Sequence, residues 1–417
     1  MTATTAPGPR IATLDIVRGV AVMGILAMNI LGFALPSQAY FNPRAYGGAD
    51  GADLWAWILS FIFVDGKMRG LFSFLFGASM LLVIERAAAK NENPAAVHYR
   101  RMAWLLLFGL AHLYFIWWGD ILSHYALIGL VAYFFRNQKV ATLIKWAAGL
   151  LVVQTAVMAM MAFGFLTVSA AAAAPDASPD VVAQWQALKA DFAPPPPDVL
   201  EEDLATHRGP WVGQVVHRLE DWHGPVTFLP FFGWETLAYM LLGMAGLKSG
   251  FLTGAWDRAR YRRWALVGYA ISVPVYALFA WLVVRSGFDT ALTVALGFAA
   301  PTPVRPVMII AHAALIVLAF GGGGWLADRI GAAGRAAFTN YLGTSILMTF
   351  IFYGWGLGLY GQLGRAEIYL LVPLAWALML LWSKPWLDRN RYGPFEWLWR
   401  SLARGRLQPM RKAPSAA

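Results

Sequence analysis

Cysteine is absent from all 417 residues, which removes disulfide frameworks, thiolate metal sites and cysteine nucleophiles together. Charge is scarce as well: 13% of the side chains are Asp, Glu, Lys or Arg, against about a quarter in soluble domains. Hydrophobic residues make up 59%, and mean hydropathy is +0.54. A water-soluble core cannot consume that much apolar surface, so lipid is the solvent for most of the chain. The apolar runs are about 20 residues long and lack the alternation of barrel strands, which leaves helices as the spanning structure. Twenty Trp and 26 Phe gather near the ends of those runs, as they do at bilayer interfaces. The expected fold class is all-α, a polytopic integral membrane protein of about ten transmembrane helices.

The expected spans are 11–33, 68–84, 102–118, 121–135, 140–166, 226–247, 264–284, 306–326, 336–355 and 368–386. Ser37-Gln38-Ala39 has the look of a signal-peptidase site, but the first run is too long for a leader and carries Asp15, Arg18 and Asn29, so it is read as a retained span. Residues 53–64 either lie in the interface or extend the second span, and 291–300, too short to cross, reads as a half-helix or re-entrant segment. The whole chain reads as one membrane domain with a polar insertion at 167–225, either a flexible stalk or a small cap, and a basic tail at 388–417.

With the amino terminus in the cytoplasm, the inner loops and tail hold about three times as many Lys and Arg as the outer loops. Both termini are then cytoplasmic and the polar insertion extracytoplasmic. This placement accounts for the net charge of +10 without invoking nucleic acid; lipids are the expected partners. The cluster Arg258 to Arg263 reads as a topology determinant or an anionic-lipid contact ahead of a site for a nucleotide-like phosphate, and Gly321 to Gly324, lacking a following Lys-Ser or Lys-Thr, as a close helix-packing surface and not a P-loop.

Polar residues inside apolar runs are the candidate functional groups. Counted along the helices, Asn29, His112, Asp120, His124, Glu235 and His312 all fall in the outer half of the bilayer. Asp120 and His124, four apart, share a helix face, so the carboxylate can orient the imidazole as a general base requires; the alternative is a helix cap beside a structural histidine. Glu235 is either a proton carrier or acid/base group, or paired structurally. Asp15 and Arg18 form a pair that either locks the first span or contacts donor phosphates. Asp65, Lys67 and Arg69 are interfacial anchors or, with His312, substrate contacts. No ligand spacing points to a metal.

The phrases Leu14-Asp15-Ile16-Val17-Arg18-Gly19, Gly66-Lys67, Leu71-Phe72-Ser73-Phe74-Leu75-Phe76-Gly77, Gly119-Asp120-Ile121-Leu122 with Tyr125-Ala126, Leu241-Leu242-Gly243-Met244 and Gly393-Pro394-Phe395-Glu396-Trp397-Leu398-Trp399-Arg400 together resemble the YeiB-like bacterial membrane family, domain of unknown function 418. Asp15, Arg18-Gly19 and Asn29 also resemble, more distantly, the first span of heparan-α-glucosaminide N-acetyltransferase-like transmembrane acyltransferases. That resemblance implies transfer of an acyl group from a cytoplasmic thioester such as acetyl-CoA to an envelope glycan or lipid, at the bacterial inner membrane. It places a catalytic histidine near the first span, whereas no histidine here precedes His98, so His112 or His124 must supply the base. In this reading Asp120 orients the base, Asn29 donates to the oxyanion and Arg18 lies near the donor phosphates. The alternative is a proton-coupled transporter or flippase using Glu235 and the histidines.

Overall fold

A computed structural model describes residues 11–220 and 224–412. Arg10, three residues of the polar insertion and the end of the basic tail lie outside them. Helices carry the fold: α1 (Ala12–Ala34), α2 (Ser37–Phe41), α3 (Gly51–Phe63), α4 (Lys67–Ala88), α5 (Pro94–Phe115), α6 (Leu122–Ala132), α7 (Val140–Ala172), α8 (Pro179–Lys189), α9 (Pro197–Arg208) and α10 (Trp211–Glu220). They are followed by α11 (Leu229–Lys248), α12 (Arg258–Arg285), α13 (Thr290–Leu292), α14 (Arg305–Phe320), α15 (Trp325–Arg335), α16 (Ala337–Phe352), α17 (Arg365–Tyr369), α18 (Leu371–Arg389) and α19 (Pro394–Arg404). Among the described residues there is no strand, only an isolated bridge between Asn390 and Arg411.

Five helical stretches are long and apolar enough to cross a membrane: Ala12–Ala34, Gly51–Ala88, Val140–Ala172, Arg258–Arg285 and Arg365–Arg389. Shorter apolar helices, among them Arg305–Phe320 and Ala337–Phe352, pack between them. The protein is therefore an all-helical membrane protein. Its sides are those of a lipid-facing wall: α7 exposes Val152, Met160 and Phe163, α12 exposes Leu266, Ile271 and Trp281, and α18 exposes Leu374, Leu378 and Leu381. By contrast α1 is buried along most of its length.

Several expected boundaries move. Residues 51–63 form a separate helix, parted from α4 by a turn in which Gly66 takes a left-handed φ of 68°. The expected span 306–326 stops at Phe320, and α15 begins anew at Trp325. Gly321 to Gly324 form that break, with Gly323 and Gly324 at φ of 82° and 113°; open space surrounds the last three, which corrects the reading of these glycines as a packing surface. The short apolar segment after α12 winds as α13 and then as a π-helix, Thr293–Ala299, packed against α7 and α12. The polar insertion is helical, in α8, α9 and α10. Its Trp211 indole and Arg218 reach the carbonyls of Phe115 and Tyr114, and the amide of Gly354 donates to the His207 carbonyl.

Helices without a hydrophobic drive toward one another associate through close packing at small residues. At the α4–α11 contact a Cβ on Gly77 would overlap the Met240 carbonyl, and one on Gly243 the Phe74 carbonyl. A Cβ on Gly19 would likewise overlap the Ile330 carbonyl, and one on Gly334 that of Asp15, where α1 crosses α15. Gly149 on α7 meets nothing. Gly243→Val is expected to destabilise by about 1–3 kcal/mol or more through overpacking, whereas Gly149→Ala is neutral or stabilising by up to about 1 kcal/mol; unfolding midpoints of the purified proteins in one detergent check the contrast.

Candidate functional site

The α5–α6 turn supplies the first constellation. Because α6 begins only at Leu122, Asp120 lies ahead of the helix and its carboxylate turns to the free amides there. Oδ1 accepts from the Leu122 amide at 3.1 Å, and Oδ2 accepts from the Ser123 amide at 2.8 Å and the Ser123 hydroxyl at 2.6 Å. The remaining partner of Oδ1 is His112 Nδ1 at 3.0 Å, and both side chains are fully buried. The expected pairing of Asp120 with His124 is therefore not formed: helical i, i+4 spacing does not extend to a residue outside the helix. His124 instead meets Thr236 Oγ1 of α11 at 3.0 Å through Nε2. The carboxylate can only accept, so Nδ1 of His112 donates to it, and in the neutral ring the lone pair falls at Nε2. That nitrogen is buried and has no partner among the described residues. Around it stand Tyr341, with ring centroids 5.2 Å apart, and Trp117, whose indole donates to the Gly32 carbonyl at 3.1 Å and stacks on Phe33 of α1.

The second constellation joins three helices. Glu235 of α11 is wholly buried, with Oε1 paired to Arg69 of α4 and Oε2 to Arg305 of α14 at 2.7 Å. The Tyr239 hydroxyl donates to Oε2 at 3.4 Å. Gln154 of α7 fixes the approach of α11, accepting from the Glu235 amide and donating to the Phe231 carbonyl. Two guanidinium groups against one carboxylate leave the triad with one excess positive charge. Arg69, expected at a substrate contact, is thus committed to an internal ion pair. Arg305 lies one residue outside the expected span 306–326; the Pro306 that follows is the sequence signal that marks Arg305 as the opening of α14 and not the loop before it.

Lys67 is buried, donating to the Phe61 carbonyl and lying 3.4 Å from the centre of the Tyr276 ring. His312 is tied at both nitrogens: Nε2 faces the Phe63 carbonyl at 2.8 Å and Nδ1 the Tyr269 hydroxyl at 2.8 Å. Arg18 bridges Asp15 on its own helix at 3.1 Å, Ser79 of α4 at 2.8 Å and the Gly334 carbonyl at 3.5 Å. Asn29 is buried on α1, and its side chain makes no hydrogen bond with the described residues. The structure therefore joins His112 to Asp120, and Arg69 to Glu235, and leaves His124, His312 and Arg18 with separate neighbours.

Residues 247–406 match the family described as "Protein of unknown function (DUF418)". The uncharacterized protein YxaH of Bacillus subtilis is 32% identical over 98% of each chain. The uncharacterized protein YeiB of Escherichia coli is 30% identical, over 94% of this chain and 96% of its own. The chain belongs to the YeiB-like DUF418 family. An uncharacterized 39.9 kDa protein of Bacillus acidopullulyticus is a further relative at 24% over 96% of each.

The tail motif that marks this YeiB-like chain has a physical task. Glu396 of α19 reaches the start of α16, where Oε1 accepts from the amides of Phe338 at 2.6 Å and Thr339 at 3.0 Å, and Oε2 from the Thr339 hydroxyl at 2.6 Å. A carboxylate there satisfies orphan amides and complements the helix dipole. Trp399 seals the joint, donating to the Arg101 carbonyl at 3.0 Å while the Arg101 guanidinium lies 3.9 Å from its ring centre.

Removing one member of a buried ion cluster strands the rest. Glu235→Ala is expected to destabilise by about 3–5 kcal/mol, Glu235 being the shared partner of two arginines, while Glu396→Ala, the loss of a single cap, costs about 1 kcal/mol. Detergent-phase unfolding of both variants against wild type measures the ordering.

Proposed function

We propose that this YeiB-like protein is a transmembrane acyltransferase of the bacterial inner membrane, with about ten crossings, cytoplasmic termini, and the dyad of His112 and Asp120 as its base. Alternating helix direction supports the crossings. Arg18 of α1 meets Ser79 of α4 while Gly24 meets Met68, so these two helices run oppositely. Likewise α5 and α6 fold back on each other, with His98 against Gly129 and His112 against Asp120. Lysine and arginine concentrate in the loops at the end that also holds α19, which supports cytoplasmic placement of that end.

The observation that carries the activity is the uncommitted Nε2 of His112. Leaving a buried polar atom unpaired costs about 1–3 kcal/mol, and a fold that tolerates the cost beside a properly oriented carboxylate has the arrangement of a general base. In the reaction, Nε2 takes the proton of an acceptor hydroxyl as its oxygen attacks the thioester carbonyl. The imidazolium, held by Asp120, then returns that proton to the departing thiolate, giving an ester and a free thiol. Asn29, with an unengaged amide, is the proposed donor to the oxyanion. On the donor side, a cleft of about 470 Å³ at the basic end, bordered by Arg136, Lys248 and Glu85, is of a size that accepts a nucleotide. Arg18, its guanidinium already shared among three oxygens, serves there as a packing residue at the inner end of α1. The transport reading would ask Glu235 to carry protons, and both its oxygens are already engaged by arginines.

Transfer of labelled acetyl groups from acetyl-CoA to envelope material in inverted vesicles is the test. His112→Ala is expected to reduce transfer by at least about 100-fold, Asp120→Asn nearly as much, and His124→Ala little. Transfer left intact in His112→Ala and His124→Ala alike, or folded wild-type protein that binds no acetyl-CoA, defeats the reading and moves the weight to transport.

A further inference from the structure

One cleft takes no part in the dyad or the triad. It lies beneath the polar insertion and is bounded by α1, α2, α3, the α3–α4 turn, the π-helical segment and Phe192, which follows α8. Its volume is about 40 Å³. Since about 10–15 Å³ of such space houses one water, it admits a group of a few heavy atoms.

The walls have an unusual composition. Tyr40, Phe41, Trp57, Phe61, Phe192 and Phe298 supply six aromatic rings, and Asp65 in the α3–α4 turn supplies the sole formal charge among the lining residues. Phe41 stands at the junction, 5.1 Å from Phe192 and 5.5 Å from Phe298 between ring centres. Two polar atoms in these walls are uncommitted. Asp65 Oδ1 accepts from the Tyr40 hydroxyl at 2.8 Å, but Oδ2 receives no hydrogen bond among the described residues. No Lys or Arg nitrogen among those residues stands at ion-pair distance from it either, because Lys67, two positions on, is turned to the Phe61 carbonyl and the Tyr276 ring. Thr293, on the π-helical segment, is buried, and its Oγ1 has no partner among the described residues.

We propose that this cleft binds a primary ammonium group. Aromatic faces attract a desolvated cation through their quadrupoles, Asp65 neutralises it, and its N–H groups satisfy Asp65 Oδ2 and Thr293 Oγ1 at once. A phosphate or carboxylate would meet the negative charge of Asp65, and a quaternary ammonium has no N–H to offer Thr293. Thr293 opens the π-helical segment, and such departures from α-geometry gather at functional sites. The chemistry is shared by a free alkylamine and by the aminoethyl headgroup of a bilayer lipid. The inference does not rest on the acyl-transfer reading.

Calorimetry on the full-length protein in detergent, titrated with ethylammonium and separately with short-chain phosphatidylethanolamine, tests it. Tetramethylammonium and short-chain phosphatidylglycerol serve as controls. Binding of ethylammonium assigns a soluble amine; binding of the ethanolamine lipid alone assigns the headgroup. In either case Asp65→Asn is expected to weaken binding by about ten-fold or more, Thr293→Val by several-fold, and each control to bind more weakly. Thr293→Val removes only an unpartnered hydroxyl and decides the matter if Asp65→Asn does not fold. No binding of either amine, or affinities unchanged in variants whose thermal unfolding matches wild type, overturns the proposal.

Discussion

A carboxylate shut away from water must find its counter-charge inside the protein, and Glu235 finds it twice. Arg69 and Arg305 come from helices on either side, so the ion triad fixes α4, α11 and α14 in register at one level. Once that level is set, the close contacts follow: Gly77 and Gly243 admit the backbones of α4 and α11 to touching distance, and Tyr239 and Gln154 complete the hydrogen bonding around the carboxylate. Arg18 then carries the coupling from α4 to α1 through Ser79, and to α15 through Gly334. The dyad of His112 and Asp120 lies apart from this clamp, tied by Trp117 to α1 and by the hydroxyl of Tyr341 to α16.

Much of the helical architecture was legible in the sequence because lipid imposes a simple rule: apolar runs of fixed length, with aromatic and basic residues at their ends. The buried polar residues were legible by the same logic, since Asp15, Asn29, His112, Glu235 and His312 stand out against apolar neighbours, and each is buried. Pairing was less so. Asp120 and His124 are one helical turn apart on paper, yet a start of α6 two residues after Asp120 sends the carboxylate to His112, eight positions back across a turn. A linear pattern records spacing within a helix but not where the helix begins. Arg305 was hidden for a related reason: it stands at the edge of an apolar run, where a cation reads as loop, and only the fold shows that its guanidinium reaches inward. The four consecutive glycines at 321–324 carried an ambiguous signal, because glycine serves both close packing and left-handed turns, and here the turn prevails.

The two ends of the molecule divide their chemistry sharply. One end gathers basic loops and the docked α19, with its wide cleft bordered by Arg136, Lys248 and Glu85. The other is roofed by α8 to α10 and holds a narrow aromatic cleft with a single carboxylate. The dyad belongs to the turn at that second end. Between the two ends runs α1, the most completely enclosed of the long helices, whose small residues Gly19, Gly24 and Gly32 line its contacts with the neighbouring elements.

The cap that Glu396 places on α16 also bears on how the chain is made. Its partner amides at Phe338 and Thr339 precede it by 58 and 57 residues, so α16 lacks this cap until α19 has been synthesised. The α19 helix thus acts as a latch that closes only after the helices it joins have been made.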